Sequence, residues 1–282
     1  MLSTVQTVSS LAVLALTLAL AACDDDGSTQ PPVPLTIASI NPAASATSVS
    51  IDQPIQIGFS SAVDPSSVSS TSIIVSRNAA PVAGSLAVQG STVTFTPAAS
   101  YTEFRSQYAV SVTTAVRSTA GGALSTAFNS TFTTVMFDSL YYYQVINAAM
   151  GPTKALGTFA GGLQCFFADV GTGTGQQWYV TEIPASTFLL FRNRFQGAGH
   201  GLEGGTAGQP CLLTTLSTGG TNFTGQAWNV TAEGTGYRMT NQNLGASSSL
   251  GIVLVNNEQR PGMTTTSAIA SQSWSFARLI RR

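Results

Sequence analysis

The sequence predicts an all-β protein in two folded parts, a β-sandwich followed by a threefold repeat of strands. Three observations carry this. The first half is filled with short segments that alternate apolar and polar residues, as half-buried strands do. Every tryptophan of the 282-residue chain closes the same kind of tripeptide, "QQW" at Trp178, "QAW" at Trp228 and "QSW" at Trp274. Only 8% of residues are charged, and Ser, Thr, Gly and Ala abound, a composition of strands and turns in an exported protein.

The N-terminus gives the compartment. "LAVLALTLAL" (Leu11 to Leu20) is the right length for the apolar core of a secretion signal and short for a spanning helix. It ends in "LAAC", Leu20 to Cys23. This resembles the lipobox of bacterial lipoproteins. The resemblance implies that residues 1–22 are a cleaved signal peptide and that Cys23 carries a diacylglycerol thioether. Acyl chains at about 0.8 kcal/mol per buried CH₂ then make a stable membrane anchor. The segment "MLSTVQTVSS" departs from the pattern in having no Lys or Arg. Residues 23–34, with "DDDGSTQPPVP", are too acidic and Pro-rich to build a core and read as a tether. The expected location is the cell envelope, lipid-anchored to a bacterial membrane, periplasmic or surface-exposed. No later stretch is apolar enough to span a bilayer.

Composition also excludes classes. Formal net charge is −1 and Lys154 is the only lysine, so no nucleic-acid partner is expected. Apart from Cys23, two cysteines remain, Cys165 and Cys211. An even pair in an exported protein points to one disulfide, with two buried thiols as the alternative. No CxxC or His/Cys cluster exists, so neither a structural metal site nor a cofactor is expected. His200 is the only histidine, GxSxG is absent, and Asp169 and Glu203 fall in different repeats; the chain is read as no enzyme. Nothing in the sequence fixes an oligomeric state.

Residues 35–135 read as about seven short strands, among them "IQIGF" (Ile55 to Phe59), "SIIVS" (Ser72 to Ser76), "TVTFTP" (Thr92 to Pro97), "YAVSVTT" (Tyr108 to Thr114) and "FNSTFTT" (Phe128 to Thr134). "NPAA", "VDPSS", "QGS" and "TAGG" punctuate them as turns. The run "INPAASATSVSIDQPIQIGFSSAVDPSSV", followed by "VTFTPAASYTEFRSQYAVSVTTAVRSTAGGAL" and a closing "FTT", resembles a bacterial Ig-like family first described in surface-layer proteins. The resemblance implies a spacer or stalk. Asp52 and Asp64 read as turn residues rather than calcium ligands.

Residues 138–282 hold the repeat. Asn147, Asn193 and Asn241 each precede a leucine (Leu156, Leu202, Leu250) by nine residues, and the tryptophans follow those leucines by 22, 26 and 24. Three strand-rich units of some 45 residues predict a closed threefold barrel, a β-trefoil. Three Gln-any-Trp motifs in register resemble the ricin B-type lectins. In such a barrel the resemblance places Trp178, Trp228 and Trp274 in the core, with Gln176, Gln226 and Gln272 supporting nearby backbone. It faces "LQC" (Leu163 to Cys165) with "QPC" (Gln209 to Cys211) and "PGM" (Pro261 to Met263), bringing Cys165 and Cys211 to the axis as a disulfide pair.

The family's sugar site uses an aspartate after the leucine, an aromatic ring and an asparagine before the motif glutamine. Those positions read Gly157, Glu203 and Gly251; Phe166, Leu212 and Thr264; and Gly175, Gly225 and Ser271. The candidate carbohydrate-binding residues are therefore Gln164, Phe166, Gln176 and Glu203. The expected function is non-catalytic glycan or polysaccharide binding by a lipid-anchored envelope protein. The alternative is a structural or adhesive component whose trefoil binds protein or has lost sugar binding.

Overall fold

The structure is a computed structural model describing residues 31–159, 162–216 and 224–282, and Cys23 with the signal and the first part of the tether lies outside them. The first part comprises β1 (Ile37–Asn41), β2 (Ala46–Val49), β3 (Ile55–Phe59), β4 (Ile73–Arg77), β5 (Ala80–Pro81), β6 (Gly84–Gln89), β7 (Thr92–Pro97), β8 (Gln107–Val112) and β9 (Phe128–Thr134). They form two sheets, β1-β3-β7-β6 and β2-β9-β8-β4-β5. Alternation sends Ile55, Ile57 and Phe59 inward to meet Val93, Phe95, Val110 and Phe132, all buried. The β6–β7 ladder ends at Gln89 opposite Thr92, leaving a two-residue turn. Its first residue, Gly90, has φ of 58°, the left-handed conformation that such a turn demands.

The second part comprises β10 (Tyr141–Asn147), β11 (Lys154–Gly157), β12 (Phe166–Asp169), β13 (Trp178–Glu182), β14 (Leu189–Asn193), β15 (His200–Glu203), β16 (Leu212–Thr215), β17 (Trp228–Glu233), β18 (Gly236–Asn241), β19 (Ser248–Val255), β20 (Glu258–Thr265) and β21 (Trp274–Arg281). Six of these close on themselves in the cycle β10-β13-β14-β17-β18-β21-β10. The other six make three hairpins, β11–β12, β15–β16 and β19–β20. A six-stranded barrel with three hairpins is a β-trefoil, so the described residues form an all-β fold with only three short 3-10 turns beside the strands. No helix among the described residues is long and apolar enough to cross a membrane.

The three tryptophans are fully buried and each sits at a seam of the barrel. Trp178 pairs with Tyr143 on one side and Asn193 on the other, Trp228 with Leu189 and Asn241, and Trp274 with Tyr237 and Asn147. Their indole N–H groups donate to Leu156, Leu202 and Leu250 carbonyls, each at 2.8 Å. A buried indole needs such an acceptor, and the leucine spacing supplies one in every unit.

At the hairpin end the backbone forms a pinwheel about the axis. The Cys165 N–H donates to Cys211 O at 3.2 Å, and the Cys211 N–H to Pro261 O at 2.9 Å. Pro261 has no N–H to close the ring. The disulfide expected between Cys165 and Cys211 is not formed: both are buried free thiols. The Cys211 thiol points to Pro261 O at 3.3 Å instead. Burial pushes the Cys165 thiol well above its ordinary range, with the Cys211 side chain adding to the shift.

The two parts share buried side chains. Phe104, in the loop before β8, packs on Phe137, Tyr237 and Phe276 with ring centroids 5.5, 4.8 and 6.2 Å away. Its φ is +64°, costly for a bulky residue and held here by the packing. The neighbouring Glu103 carboxylate accepts from Tyr143 Oη and from the Asp138 N–H. Arg105 reaches Thr187 O and Ser48 reaches Glu182, so the β13–β14 turn faces the sandwich. The hairpins leave the opposite ends of those strands, and so cap the barrel away from the sandwich.

Candidate functional site

Superposing the hairpin registers aligns the three units residue by residue. Gly157 faces Phe166, Glu203 faces Leu212, and Gly251 faces Gly262. The stacking position of the third unit is thus Gly262, and the counterpart of Cys165 and Cys211 is Pro261. Thr264 and Met263, expected there from the sequence, lie two residues further along β20. The slip has a simple cause. Leu156 to Phe167 and Leu202 to Leu213 span eleven residues, but Leu250 to Met263 spans thirteen. The third connection is two residues longer, so counting forward from the leucine stops short within the arm, whereas twelve residues separate Phe166 from Trp178 and Gly262 from Trp274 alike.

The motif glutamines brace the hairpins. Gln226 Nε2 donates to Thr214 Oγ1 at 2.5 Å and to Thr215 O at 3.2 Å. Gln272 Nε2 makes the same bonds to Thr264 Oγ1 at 2.7 Å and Thr265 O at 2.6 Å. Gln176 Nε2 donates to Asp169 O, while its Oε1 accepts from the Gly171 N–H at 3.0 Å. With both ends occupied, Gln176 has its polar atoms committed to the loop after β12.

The four candidate binding residues fall into two groups. Phe166 and Gln176 flank Gly157, and the Phe166 ring packs 4.6 Å from the half-exposed ring of Phe159. Gln164 and Glu203 instead line one pocket of about 450 Å³ with Thr206, Gln209, Leu212 and Thr214. The bridge between Gln164 and Leu212 holds the first and second units together there. The third hairpin contributes Val255, next to its turn, to the lining.

Inside this pocket Glu203 is the charged group. Its Oε2 accepts from Thr214 Oγ1, whose own oxygen accepts from Gln226. The relay runs from motif glutamine to hydroxyl to carboxylate and fixes the carboxylate's orientation. Glu203 Oε1 has no protein donor among the described residues. Gly225 makes room for it: a Cβ there would lie 3.0 Å from Glu203 Cγ and 3.1 Å from Oε1. Leu212, 41% exposed, and Pro210 supply the apolar wall. The pocket has the mixture expected of a small-molecule site, apolar surface with a few fixed polar groups.

Other acidic and basic groups lie elsewhere. Asp169 pairs with Lys154 at 2.8 Å on the exposed edge of β11–β12, a contact worth little in water. His200 Nδ1 lies 3.2 Å from Gln196 O and does not line the pocket. No group of three or more His, Cys, Asp or Glu able to hold a metal occurs among the described residues.

Sequence reasoning missed the three asparagines as structural parts, although their nine-residue spacing to the leucines was visible. All three are buried. Asn147 donates to Ser271 O at 2.8 Å, Asn193 to Gly175 O at 2.8 Å and Asn241 to Gly225 O at 3.3 Å. Each acceptor immediately precedes a motif glutamine, so each asparagine ties its unit to the neighbouring motif. Their Oδ1 atoms accept from the N–H of Ala149, Phe195 and Leu244.

Comparison with known proteins adds the following. No curated protein matches the chain. Among solved structures, the Polyporus squamosus lectin bound to a human-type influenza-binding epitope is 14% identical, with 50% of this chain and 49% of that one covered and a TM-score of 0.40. The Rhizoctonia solani agglutinin is 15% identical, with 49% and 94% covered and a TM-score of 0.38. A GlcNAcα1-4Gal-releasing endo-β-galactosidase from Clostridium perfringens is 11% identical, with 68% and 39% covered and a TM-score of 0.40. The match therefore spans less than half the length of the galactosidase and of the Polyporus lectin. Residues 31–134 match the family described as bacterial Ig-like domain, and the N-terminal sandwich is a domain of that kind.

Proposed function

We propose that the chain is a lipid-anchored envelope protein whose trefoil binds a carbohydrate without transforming it. In this reading residues 1–22 are a signal, Cys23 is acylated, 23–34 is a tether, 35–135 a spacer and 138–282 the binding domain. The observation that carries the binding is the pocket that joins Gln164 to Glu203. It offers a fixed carboxylate whose second oxygen receives no donor among the described residues, amide and hydroxyl groups from Gln164, Gln209, Thr206 and Thr214, and an apolar wall at Leu212. Sugars present that combination, hydroxyls around the rim of a ring with apolar faces. The function is argued from this site, because the trefoil alone does not specify one. Glu203 as sole carboxylate in the pocket offers no acid–base pair across a bond.

The test is a glycan array with the fragment 24–282, followed by titration of any hit against variants. Glu203→Ala should abolish saturable binding while leaving the thermal midpoint within a few degrees of the parent. Phe166→Ala should leave binding intact, since Phe166 lies outside the pocket. A folded protein that binds no glycan, or whose binding survives Glu203→Ala, overturns the proposal.

A further inference from the structure

The third hairpin breaks the threefold symmetry. In the first two units the ladder pairs four residues and then opens into an eight-residue connection, 158–165 and 204–211. In the third the ladder continues from Gly251 and Gly262 out to Val255 and Glu258. A two-residue turn closes it, with Asn256 at φ 51° and Asn257 at φ 63°. Left-handed asparagines at both positions are the chemistry of a tight hairpin, so the arm is a built extension of the sheet.

The arm has two unlike faces. Cross-strand partners and residues two apart share a face, which places Val253, Val255, Glu258 and Arg260 together. Val253 is buried and Val255 half-buried against the cap, while on the other face Leu254 is 70% exposed. Arg260 pairs with Glu258 at 2.5 Å on the inner face. Between this face and the cap lies a second cleft of about 260 Å³, lined by Gln164, Pro210, Val255, Asn256, Glu258 and Arg260.

The cleft shares Gln164, Pro210 and Val255 with the Glu203 pocket. One wall is common to both, so the two lie side by side. The pocket is of ordinary size for a small-molecule site, about 300–1,000 Å³, and the cleft adds polar length rather than depth. Glu203, Glu258 and Arg260 leave the groove one negative charge in excess, which disfavours a polyanion.

Resting on the carbohydrate reading above, we infer that the ligand is a neutral oligosaccharide. One sugar sits over Leu212 against Glu203, and the chain continues along the inner face of the β19–β20 arm past Arg260 and Asn256. The arm supplies the chain-length specificity that the two shorter hairpins lack.

The test is calorimetric titration of the fragment 24–282 with neutral β-linked oligosaccharides of one to six units, built from glucose, galactose or N-acetylglucosamine. The expected result is an affinity at least tenfold higher for four units than for two. Arg260→Ser and Asn256→Gly should each reduce that gain and leave the two-unit affinity unchanged; Asn256→Gly preserves the turn, so it guards against a folding defect. Equal affinity for two and four units, or a gain that survives both substitutions, overturns the inference while leaving the pocket reading intact. No binding at any length by the folded protein overturns both.

Discussion

At the residue scale, the tryptophans show how one side chain can serve as both filler and fastener. Each indole is wholly buried in the barrel core and spends its single donor on a hairpin carbonyl. Trp228→Ala should therefore cost about 3–5 kcal/mol, since it removes apolar contact and leaves the Leu202 carbonyl unpaired. Urea denaturation would read this as a lower midpoint; a shift corresponding to less than 1 kcal/mol would show that the seam repacks. The tryptophans were legible because the tripeptide recurs. The Glu203 relay was legible only in part: the position after the recurring leucine marked Glu203, but no spacing announced that Thr214 orients it. Phe166 illustrates the limit. Its position in the alignment gave it a candidate stacking role, yet which neighbour a ring meets depends on the loop beside it, and that loop brings Phe159.

At the scale of elements, the barrel is held as a ring of units, each asparagine reaching the motif of its neighbour. Asn193 is wholly buried, accepts from the N–H of Phe195 and donates to Gly175 O. Asn193→Ala leaves those groups unpaired and should destabilise by about 1–3 kcal/mol. Asn193→Asp keeps the acceptor but turns a carboxylate oxygen toward Gly175 O in a buried site, so it should destabilise at least as much as Asn193→Ala. Chemical denaturation of both variants orders the series, and an unperturbed Asn193→Ala would mean that the ring does not depend on this tie. The strands themselves were largely readable, since "YYYQVIN", "FLLFRN" and "GYRMTN" coincide with β10, β14 and β18. Hairpin register was not. A two-residue lengthening leaves the apolar pattern intact, and the one trace of it in the sequence is the common twelve-residue step from Phe166 to Trp178 and from Gly262 to Trp274.

At the scale of the whole molecule, the junction is a shared core rather than a bare linker. Burial pushes the Glu103 carboxyl above its ordinary value near 4.5, although its bonds from Tyr143 and Asp138 partly oppose this. The folded state then holds this proton more tightly than the unfolded chain. Its contribution to stability is full below pH 4.5 and declines as pH rises through the folded-state value. Glu103→Gln keeps an acceptor for Tyr143 and removes the charge. It should flatten that decline, so that the thermal midpoint changes less between pH 4.5 and 7.5 than in the parent. An identical pH profile in parent and variant would show that Glu103 ionises as freely as a surface carboxylate. None of this was visible beforehand, because the sequence marks where two folds begin and end but not which loop of one enters the other.

The wedge of Phe104 also bears on how the molecule carries load. The hairpin end points away from the sandwich, and Phe104 and Glu103 grip the barrel at its other end. A pull applied at the hairpins is relayed through packed rings and a buried hydrogen-bond network, in parallel with the connecting peptide. The two parts then resist as one stiff strut, and under tension they yield together.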